Sequence, residues 1–268
     1  MDNILAFKHS GDMGDIVSSL PTVKAICEKE NAKAHYILDA SGGYLDDYVK
    51  EMCPNGNKFS LEQAQFLAPL LKAQPYIADV EIDTFGNKEC WCNLNKFRRE
   101  FRNRETVKRT NQNLMFLHQA AFNLPIGYTG DWLDIKVDKE PEGVVCIRSN
   151  RYHSDHLVWE LFIHKMEMEQ TPYSFVGTDL EYNAFKDAFR EAKPKRVIVK
   201  DALELAKVIG ESKEIVCNGT LGFWLAVGMD HPQIFHEICG GVPTTYFPSG
   251  LDKKTPNIRY FQGGHFVK

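Results

Sequence analysis

The sequence predicts an α/β protein of two doubly wound lobes that face each other across a cleft. Short apolar runs of strand length alternate with longer segments of helical period, which is typical of parallel sheets covered by helices on both faces. The alternation stops once, at residues 125–143, and then restarts, which indicates two lobes joined by a connecting segment. We expect a first lobe at 1–135, a second at 143–250, and a tail at 251–268 that would pack back on the first lobe.

The first lobe begins with an apolar strand and continues with amphipathic helices. Its predicted strands are Asn3–Phe7, Tyr36–Leu38 and Ile77–Ile82, and its predicted helices are Leu61–Ala73 and Gln112–Leu124. Pro21 interrupts a helical segment behind the first strand. Because a proline inside a helix costs about 3 kcal/mol, we expect that helix either to kink near Val17 or to start afresh near Pro21.

The second lobe reads as five strands with helices between them, which is a doubly wound unit by itself. The predicted strands are Val144–Ile147, Tyr173–Val176, Arg196–Val199, Glu214–Cys217 and Gln233–Phe235. The predicted helices are Trp159–Met168, Glu181–Ala192, Ala202–Ile209 and Leu221–Gly228.

Composition narrows the class of protein. A chain of 268 residues with 43% hydrophobic residues can bury a substantial core. Its net charge of −4 argues against global attraction to nucleic acid or anionic membrane, although a local basic patch remains compatible with it. We expect no transmembrane segment and no signal peptide, because charged residues interrupt every long apolar run. Seven cysteines, an odd number without a C-x-x-C pair, favour reduced thiols and a cytoplasmic location.

The loop "KHSGDMGD" directly follows the first strand, at the end of the sheet where doubly wound proteins bind ligands. Gly11 and Gly14 permit a close approach of the backbone to a ligand. Asp15 is predicted at the N-terminus of the next helix, where a carboxylate is a candidate general base. The alternative is that Asp12 or Asp15 only caps that helix. The loop lacks G-x-G-x-x-G, so the dinucleotide fingerprint is absent here.

Two motifs resemble those of the heptosyltransferase-like glycosyltransferases (glycosyltransferase family 9-like), which have the GT-B fold. The first consists of Lys8, Gly14-Asp15-Ile16-Val17 and Leu20-Pro21, and the second is "IVCNGTLGFWLAVGMDHPQI", Ile215–Ile234. Between them, Gly177–Glu181 resembles the segment that contacts the donor ribose. The chain departs from the family pattern at Gly219, Leu221 and Trp224, and it is more compact than typical relatives.

The resemblance implies that the second lobe binds a nucleotide-sugar donor. The residues implied for donor binding are Arg148, Arg151, Glu181, Asn218, Thr220 and Gly222. Such enzymes neutralise the leaving diphosphate with basic side chains and a helix N-terminus, so we expect neither a metal ion nor a cofactor. Each of these residues also has a purely structural interpretation. The arginines would lie in a solvated turn, and Asn218 and Thr220 would form a turn and a helix cap. Glu181 would interact favourably with the dipole at the start of a helix.

The segment Lys96–Arg109 concentrates seven basic residues against two acidic ones, with Phe97 and Phe101 on one side of a predicted helix. It is either a solvated face or the site of an anionic acceptor, such as a lipid-linked glycan or nucleic acid. The candidate acceptor-binding residues are His9, Gly14, Arg98 and Arg102.

Together these patterns predict a metal-independent glycosyltransferase in which Asp15 takes the proton of the acceptor hydroxyl. Two alternatives remain open at this point. The chain is a non-catalytic sugar-nucleotide sensor or partner-binding module on the same scaffold, which Gly219 and Trp224 favour, or it is a nucleic-acid-directed glycosyltransferase that uses the basic run 96–109.

Overall fold

The computed structural model describes residues 3–42, 59–150, 156–238, 243–247, 256–262 and 265–267. Within these residues the chain forms two separate sheets with helices between the strands, which confirms the predicted α/β class with two doubly wound lobes. Arg151, a predicted donor-binding residue, lies outside the described residues.

The first lobe is built on a four-stranded parallel sheet with the order β3-β2-β1-β4. The strands are β1 (Asn3–His9), β2 (Ala32–Asp39), β3 (Ile77–Asp83) and β4 (Cys92–Asn93). The helices are α1 (Met13–Lys29), α2 (Leu61–Lys72), α3 (Arg104–Thr110) and α4 (Leu114–Ala121), and a 3₁₀ helix spans Leu94–Arg102.

Helix α1 continues through Pro21, so it does not start afresh there. The Ser18 and Ser19 hydroxyls, in the turn before Pro21, donate to the carbonyls of Asp15 and Ile16. Serine side chains therefore add hydrogen bonds in the part of the helix that proline weakens, and ten buried residues between Ile16 and Cys27 hold the helix in the core.

The second lobe is built on a seven-stranded sheet with the order β11-β10-β9-β8-β5-β6-β7. The strands are β5 (Val144–Ile147), β6 (Tyr173–Val176), β7 (Lys195–Val197), β8 (Glu214–Cys217), β9 (Ile234–Glu237), β10 (Ile258–Gln262) and β11 (His265–Val267). The helices are α5 (His156–Met168), α6 (Asp179–Ala188), α7 (Ala202–Gly210) and α8 (Leu221–Gly228), and a 3₁₀ helix spans Pro243–Thr245. All strand pairs are parallel except β10 with β11.

The expected packing of the tail on the first lobe stays a prediction. The described part of the tail, β10 and β11, extends the second sheet by pairing β10 with β9. Apolar side chains explain this position, because Tyr260 and Phe261 on β10 are buried, and Phe261 joins the core of the second lobe beside Trp159.

The lobes share an apolar cluster, in addition to the separate core of the second lobe. Helices α1 and α2 of the first lobe contact α8 and α7 of the second, and a single buried cluster runs through both lobes. The connecting segment adds polar ties: the N–H groups of Trp132 and Leu133 donate to the carbonyl of Gly228, and the Tyr128 hydroxyl donates to Asp230. Among the described residues, no helix combines the length and apolar character that a membrane span requires.

Candidate active site

The β1–α1 loop brings the Asp15 carboxylate next to the end of β1. A β-carbon added at Gly11 would lie 2.7 Å from Oδ2 of Asp15 and 2.7 Å from Cε1 of His9. Gly11 is therefore required for close packing. Asp12 occupies the N-cap position of α1 without a side-chain capping hydrogen bond, and Asp15 lies in the first turn.

Arg98, on the 3₁₀ helix, reaches the same loop from the other side. Its guanidinium donates to the Asp15 carboxylate at 2.7 Å, and both side chains are mostly buried, with 17% and 15% of their surface exposed. The Asp15 carboxylate is thus oriented by a cation rather than by a helix cap alone. Arg102, at the end of the 3₁₀ helix, is exposed.

Two buried histidines lie beneath this ion pair. His9 Nδ1 accepts a hydrogen bond from the Gly11 N–H at 2.9 Å, and the ring centroids of His9 and His118 are 5.4 Å apart. The His118 ring stacks on Phe97 with 4.0 Å between centroids. Burial, followed by the neighbouring Arg98 cation, lowers the pKa of His118 to about 3. Burial and then His118 and Arg98 also hold the pKa of His9 well below its ordinary value. Both rings are neutral at neutral pH.

Lys8, which matches the lysine of the family motif, is buried in an ion-pair cluster at the ends of β1, β2 and β3. Its ammonium lies 2.8 Å from Asp83 and 3.5 Å from Asp39. Burial by itself would raise the pKa of Asp83, but the Lys8 ammonium and the backbone N–H groups of Lys88, Phe85 and Gly86 together lower it to about 2. Neither Asp39 nor Asp83 is predicted as a site residue from the sequence, although both lie at strand ends.

The second wall of the site is formed where β5 and β8 end side by side. The Asn218 side chain accepts from the Ser149 N–H at 3.1 Å and donates to the Ser149 carbonyl at 2.9 Å. The described part of the predicted donor segment 148–151, residues 148–150, is therefore held next to the predicted donor segment 218–220 at one edge of the sheet. The Arg148 side chain is buried, with its guanidinium carbon 5.7 Å from the Trp159 ring centre and 5.2 Å from that of Phe189.

Helix α8 begins at this edge. Thr220 is its N-cap residue, but the Thr220 side chain makes no capping hydrogen bond, and Oγ1 is buried without a hydrogen-bond partner among the described residues. A β-carbon at Gly222 would lie 2.5 Å from Cδ1 of Ile147, so glycine is needed for α8 to pack on β5. A β-carbon at Gly219 would meet only Thr245, at 3.7 Å, so the backbone at Gly219 has room beside it.

Trp224 connects the two walls. It is buried on α8, and a β-carbon at Gly14 would lie 3.3 Å from its Cδ1 atom. The turn that carries Asp15 therefore packs directly on the helix that begins at the Asn218–Thr220 segment. This contact explains Gly14, because a side chain at position 14 would push the two helices apart.

Glu181 takes part in a capping box at the start of α6. Its carboxylate accepts from the Thr178 N–H at 2.8 Å and the Thr178 hydroxyl at 2.9 Å, while the Glu181 N–H donates back to that hydroxyl. Glu181 therefore lies at a helix N-terminus, as the alternative interpretation of this residue requires. Ribose binding by Glu181 stays a prediction. In the described ranges, no group of three or more His, Cys, Asp or Glu side chains is arranged to hold a metal ion.

Comparisons with known proteins show which solved structures have a similar fold. No family model and no curated sequence matches the chain. The solved structure of the heptosyltransferase WaaC from E. coli with ADP-2-deoxy-2-fluoro heptose is similar at a TM-score of 0.55 and 11% identity, over 97% of this chain and 94% of that one. A glycosyl transferase family 9 protein from Veillonella parvula has a TM-score of 0.61 and 10% identity, over 97% and 87%.

The ADP-heptose lps heptosyltransferase II from E. coli gives a TM-score of 0.56 and 11% identity, over 97% of this chain and 90% of that one. The chain therefore has the two-lobed fold of the heptosyltransferases along nearly its whole length. The resemblance in the two sequence motifs is confirmed at the level of the fold.

Proposed function

We propose that the protein is a glycosyltransferase that moves a sugar from a nucleoside-diphosphate donor to an acceptor hydroxyl. The observation that carries this proposal is the packing of Gly14 on Trp224, which is so close that a β-carbon at position 14 would lie 3.3 Å from the ring. It brings a carboxylate of the first lobe next to the helix whose N-terminus would hold a diphosphate, on a fold shared with heptosyltransferases.

In the proposed reaction, Asp15 accepts the proton of the acceptor hydroxyl as the hydroxyl oxygen forms a bond to the anomeric carbon. The bond from that carbon to the diphosphate breaks, and its electron pair leaves with the nucleoside diphosphate. Arg98 holds the Asp15 carboxylate in one orientation through its 2.7 Å contact. Asp15 then releases the proton to solvent.

The donor diphosphate would sit at the start of α8, which supplies unpaired backbone N–H groups, with the Thr220 hydroxyl as a further donor. Thr220 Oγ1 supports this, because this buried hydroxyl has no hydrogen-bond partner among the described residues and can therefore donate a hydrogen bond to a phosphate oxygen. Asn218 and Gly222 would support the donor site indirectly, by positioning its backbone. Asn218 holds the Ser149 backbone through its side chain, and Gly222 lets α8 pack on Ile147. No metal ion is needed in this scheme.

An anionic acceptor is supported by the exposed cations on the 3₁₀ helix and α3. They continue from Arg98 over the surface of the first lobe: Lys96, Arg99, Arg102, Arg104, Lys108 and Arg109. An acceptor with phosphate or carboxylate groups would be drawn to the loop that carries Asp15.

The decisive experiment is a transfer and hydrolysis assay of Asp15→Asn across a panel of nucleotide sugars. ADP-heptose should head the panel, because the E. coli enzyme was solved with its fluoro analogue. We expect transfer to fall by about 10²-fold or more with nucleotide binding unchanged. Asp12→Asn is the matched control, since Asp12 lies three residues before Asp15, makes no side-chain capping hydrogen bond and undergoes the same change of carboxylate to amide.

A second candidate function is a non-catalytic nucleotide-sugar sensor. The observation that favours it is that Asn218, Arg148 and Glu181 are all engaged in contacts within the second lobe. If the protein binds nucleotides but turns over no donor in the panel, the result supports the sensor function and contradicts the transferase function.

A further inference from the structure

Helix α5 carries an apolar stripe on the outer face of the second lobe. Its inward side packs Val158, Trp159, Ile163 and Met166 into the core. Its outward side exposes Leu157, Leu161 and Met168, with 56%, 58% and 71% of their surface accessible. The main helix contacts between the lobes run through α7 and α8, and the exposure of these three side chains shows that no described part of the chain covers the stripe.

The spacing of the stripe matches the seam of a two-stranded coiled coil. Leu157, Leu161, His164 and Met168 follow one another at intervals of four, three and four residues, which are the d and a positions of a heptad. His164 is exposed like its neighbours. The stripe is about three turns long, so a second helix can lie along it.

The charged residues Glu160 and Lys165, which flank the stripe, favour a second copy of the same helix as the partner. In this register Glu160 is a g position and Lys165 is the e position five residues later, and both side chains are exposed. In a parallel pair of identical helices, g of one chain lies next to the following e of the other. Two copies of α5 would therefore form two Glu160–Lys165 pairs, whereas an antiparallel pair would bring the Glu160 sides of both helices together.

We propose that this stripe is a homodimer interface in which α5 of one copy packs in parallel on α5 of a second copy. The two-fold axis runs along the seam, with Leu161 at its centre and the Glu160–Lys165 pairs at its edges. A seam of this length buries less than the roughly 1,200–2,000 Å² of a standard interface, so we expect a dimerisation Kd of about 10–100 µM. This inference is independent of the proposed activity.

Sedimentation equilibrium under reducing conditions, from about 5 to about 500 µM protein, tests the proposal. We expect wild type to shift from monomer to dimer over this range, and Leu161→Glu to remain monomeric. Leu180→Glu is the matched control, because Leu180 is 77% exposed on α6 and outside the stripe. Circular dichroism confirms that each variant is folded.

Charge exchange tests the partner and its orientation. Glu160→Lys alone and Lys165→Glu alone should each weaken dimerisation by about 3-fold to 10-fold, and the double exchange should restore it to within about twofold of wild type. Three outcomes overturn the proposal: a wild type that stays monomeric at every concentration, whatever else the stripe binds; a Leu161→Glu variant that still dimerises; or a double exchange that fails to restore the dimer.

Discussion

Arg98 and Asp15, 83 positions apart in the sequence, form an ion pair of 2.7 Å beside the contact between the two lobes. The pair joins the loop after β1 to the 3₁₀ helix Leu94–Arg102. A carboxylate that is to accept a proton must be held within about 2.6–3.2 Å of the hydroxyl that it serves, so its orientation matters as much as its presence.

Replacing Arg98 tests that orientation. We expect Arg98→Gln to lower kcat for sugar transfer by about 10-fold to 100-fold, because a misplaced base loses much of its effect. Arg98→Lys should lose less, since it retains the charge without the forked geometry. Nucleotide affinity, measured by calorimetry, should stay at the wild-type value. Arg190→Gln, an exposed arginine of the second lobe, is the control. An Arg98→Gln variant with unchanged kcat would contradict the role.

Thr220 offers a test of the diphosphate site that separates binding from folding. Thr220→Val removes the buried Oγ1, which has no hydrogen-bond partner in the described protein, while keeping the shape of the side chain. We expect nucleoside-diphosphate affinity to fall by about 10-fold, the scale of one hydrogen bond to a charged group. The melting temperature should not fall, because no protein hydrogen bond is lost.

Thr220→Ser is the companion variant, since it retains the hydroxyl. It should bind nucleoside diphosphate nearly as well as wild type. Equal affinity in wild type, Thr220→Val and Thr220→Ser would remove the hydroxyl from the donor site.

The Lys8 cluster predicts a stability change that depends on pH. Lys8→Met leaves Asp39 and Asp83 buried without their cation, and we expect a loss of about 3–5 kcal/mol in the free energy of unfolding at neutral pH. The folded pKa of Asp83, about 2, is lower than its value in an unfolded chain, about 3.9. The stabilisation is therefore present above about pH 4 and lost as the pH falls toward about 2.

Urea unfolding of wild type and Lys8→Met at several pH values measures this effect. The difference between the two proteins should shrink as the pH falls through that window. Lys29→Met, at an exposed position, should change stability by less than about 0.5 kcal/mol. A difference that stays constant from neutral to acid pH would rule out the assigned cause.

The sequence predicts the alternation of strands and helices well, because period and strand length are local signals. Element ends are less well predicted: α5 begins at His156 rather than Trp159, and α6 ends at Ala188 rather than Ala192. The spacing of Phe97 and Phe101 predicts one helix in the basic run, but Asn103 ends the 3₁₀ segment and caps α3 through a hydrogen bond from the Thr106 N–H. An asparagine in that position is a visible cap signal.

Sequence patterns do not predict which side chains and backbone groups contact one another in the site. Asp15 could be singled out by its place after β1, but its partner Arg98 lies on a distant segment, and only the folded chain brings the two together. The same holds for Asn218 and the Ser149 backbone, 69 positions apart. His118 carried no signal of its own, since a histidine in an amphipathic helix resembles any half-exposed residue.

The exposed cations of the first lobe predict a salt-sensitive acceptor interaction. Replacing Arg99, Arg102 and Arg109 with glutamine should raise KM for an anionic acceptor and flatten its dependence on ionic strength, with kcat unchanged. Steady-state kinetics at several salt concentrations checks this. Affinity for DNA that falls steeply with salt and disappears in the same variant would identify nucleic acid as the acceptor. If KM changes neither with the substitutions nor with the salt concentration, these cations form a solvated face without a role in acceptor binding.

The buried histidines predict that the folded protein loses stability in mild acid. Because the folded pKa of His118 is about 3 and an unfolded histidine titrates near 6.5, the unfolded chain binds more protons between these values. The free energy of unfolding therefore falls as the pH drops below about 6.5, by about 1.4 kcal/mol per pH unit for each such histidine. His9, His231 and His236 shift in the same direction through burial and add to the slope.

His118→Phe isolates one of these contributions. The phenyl ring can keep the stack on Phe97 but has no group to protonate. Between pH 6.5 and pH 5 we expect the slope of unfolding free energy against pH to be smaller than in wild type, by about 0.7 kcal/mol per unit at pH 6.5 and about 1.4 kcal/mol per unit at pH 5. Phe101→Leu is the control, because it changes a ring packed on Phe97 without removing a titratable group, and it should leave the acid slope at the wild-type value. Equal slopes in wild type and His118→Phe would show that His118 is reached by protons in the folded state.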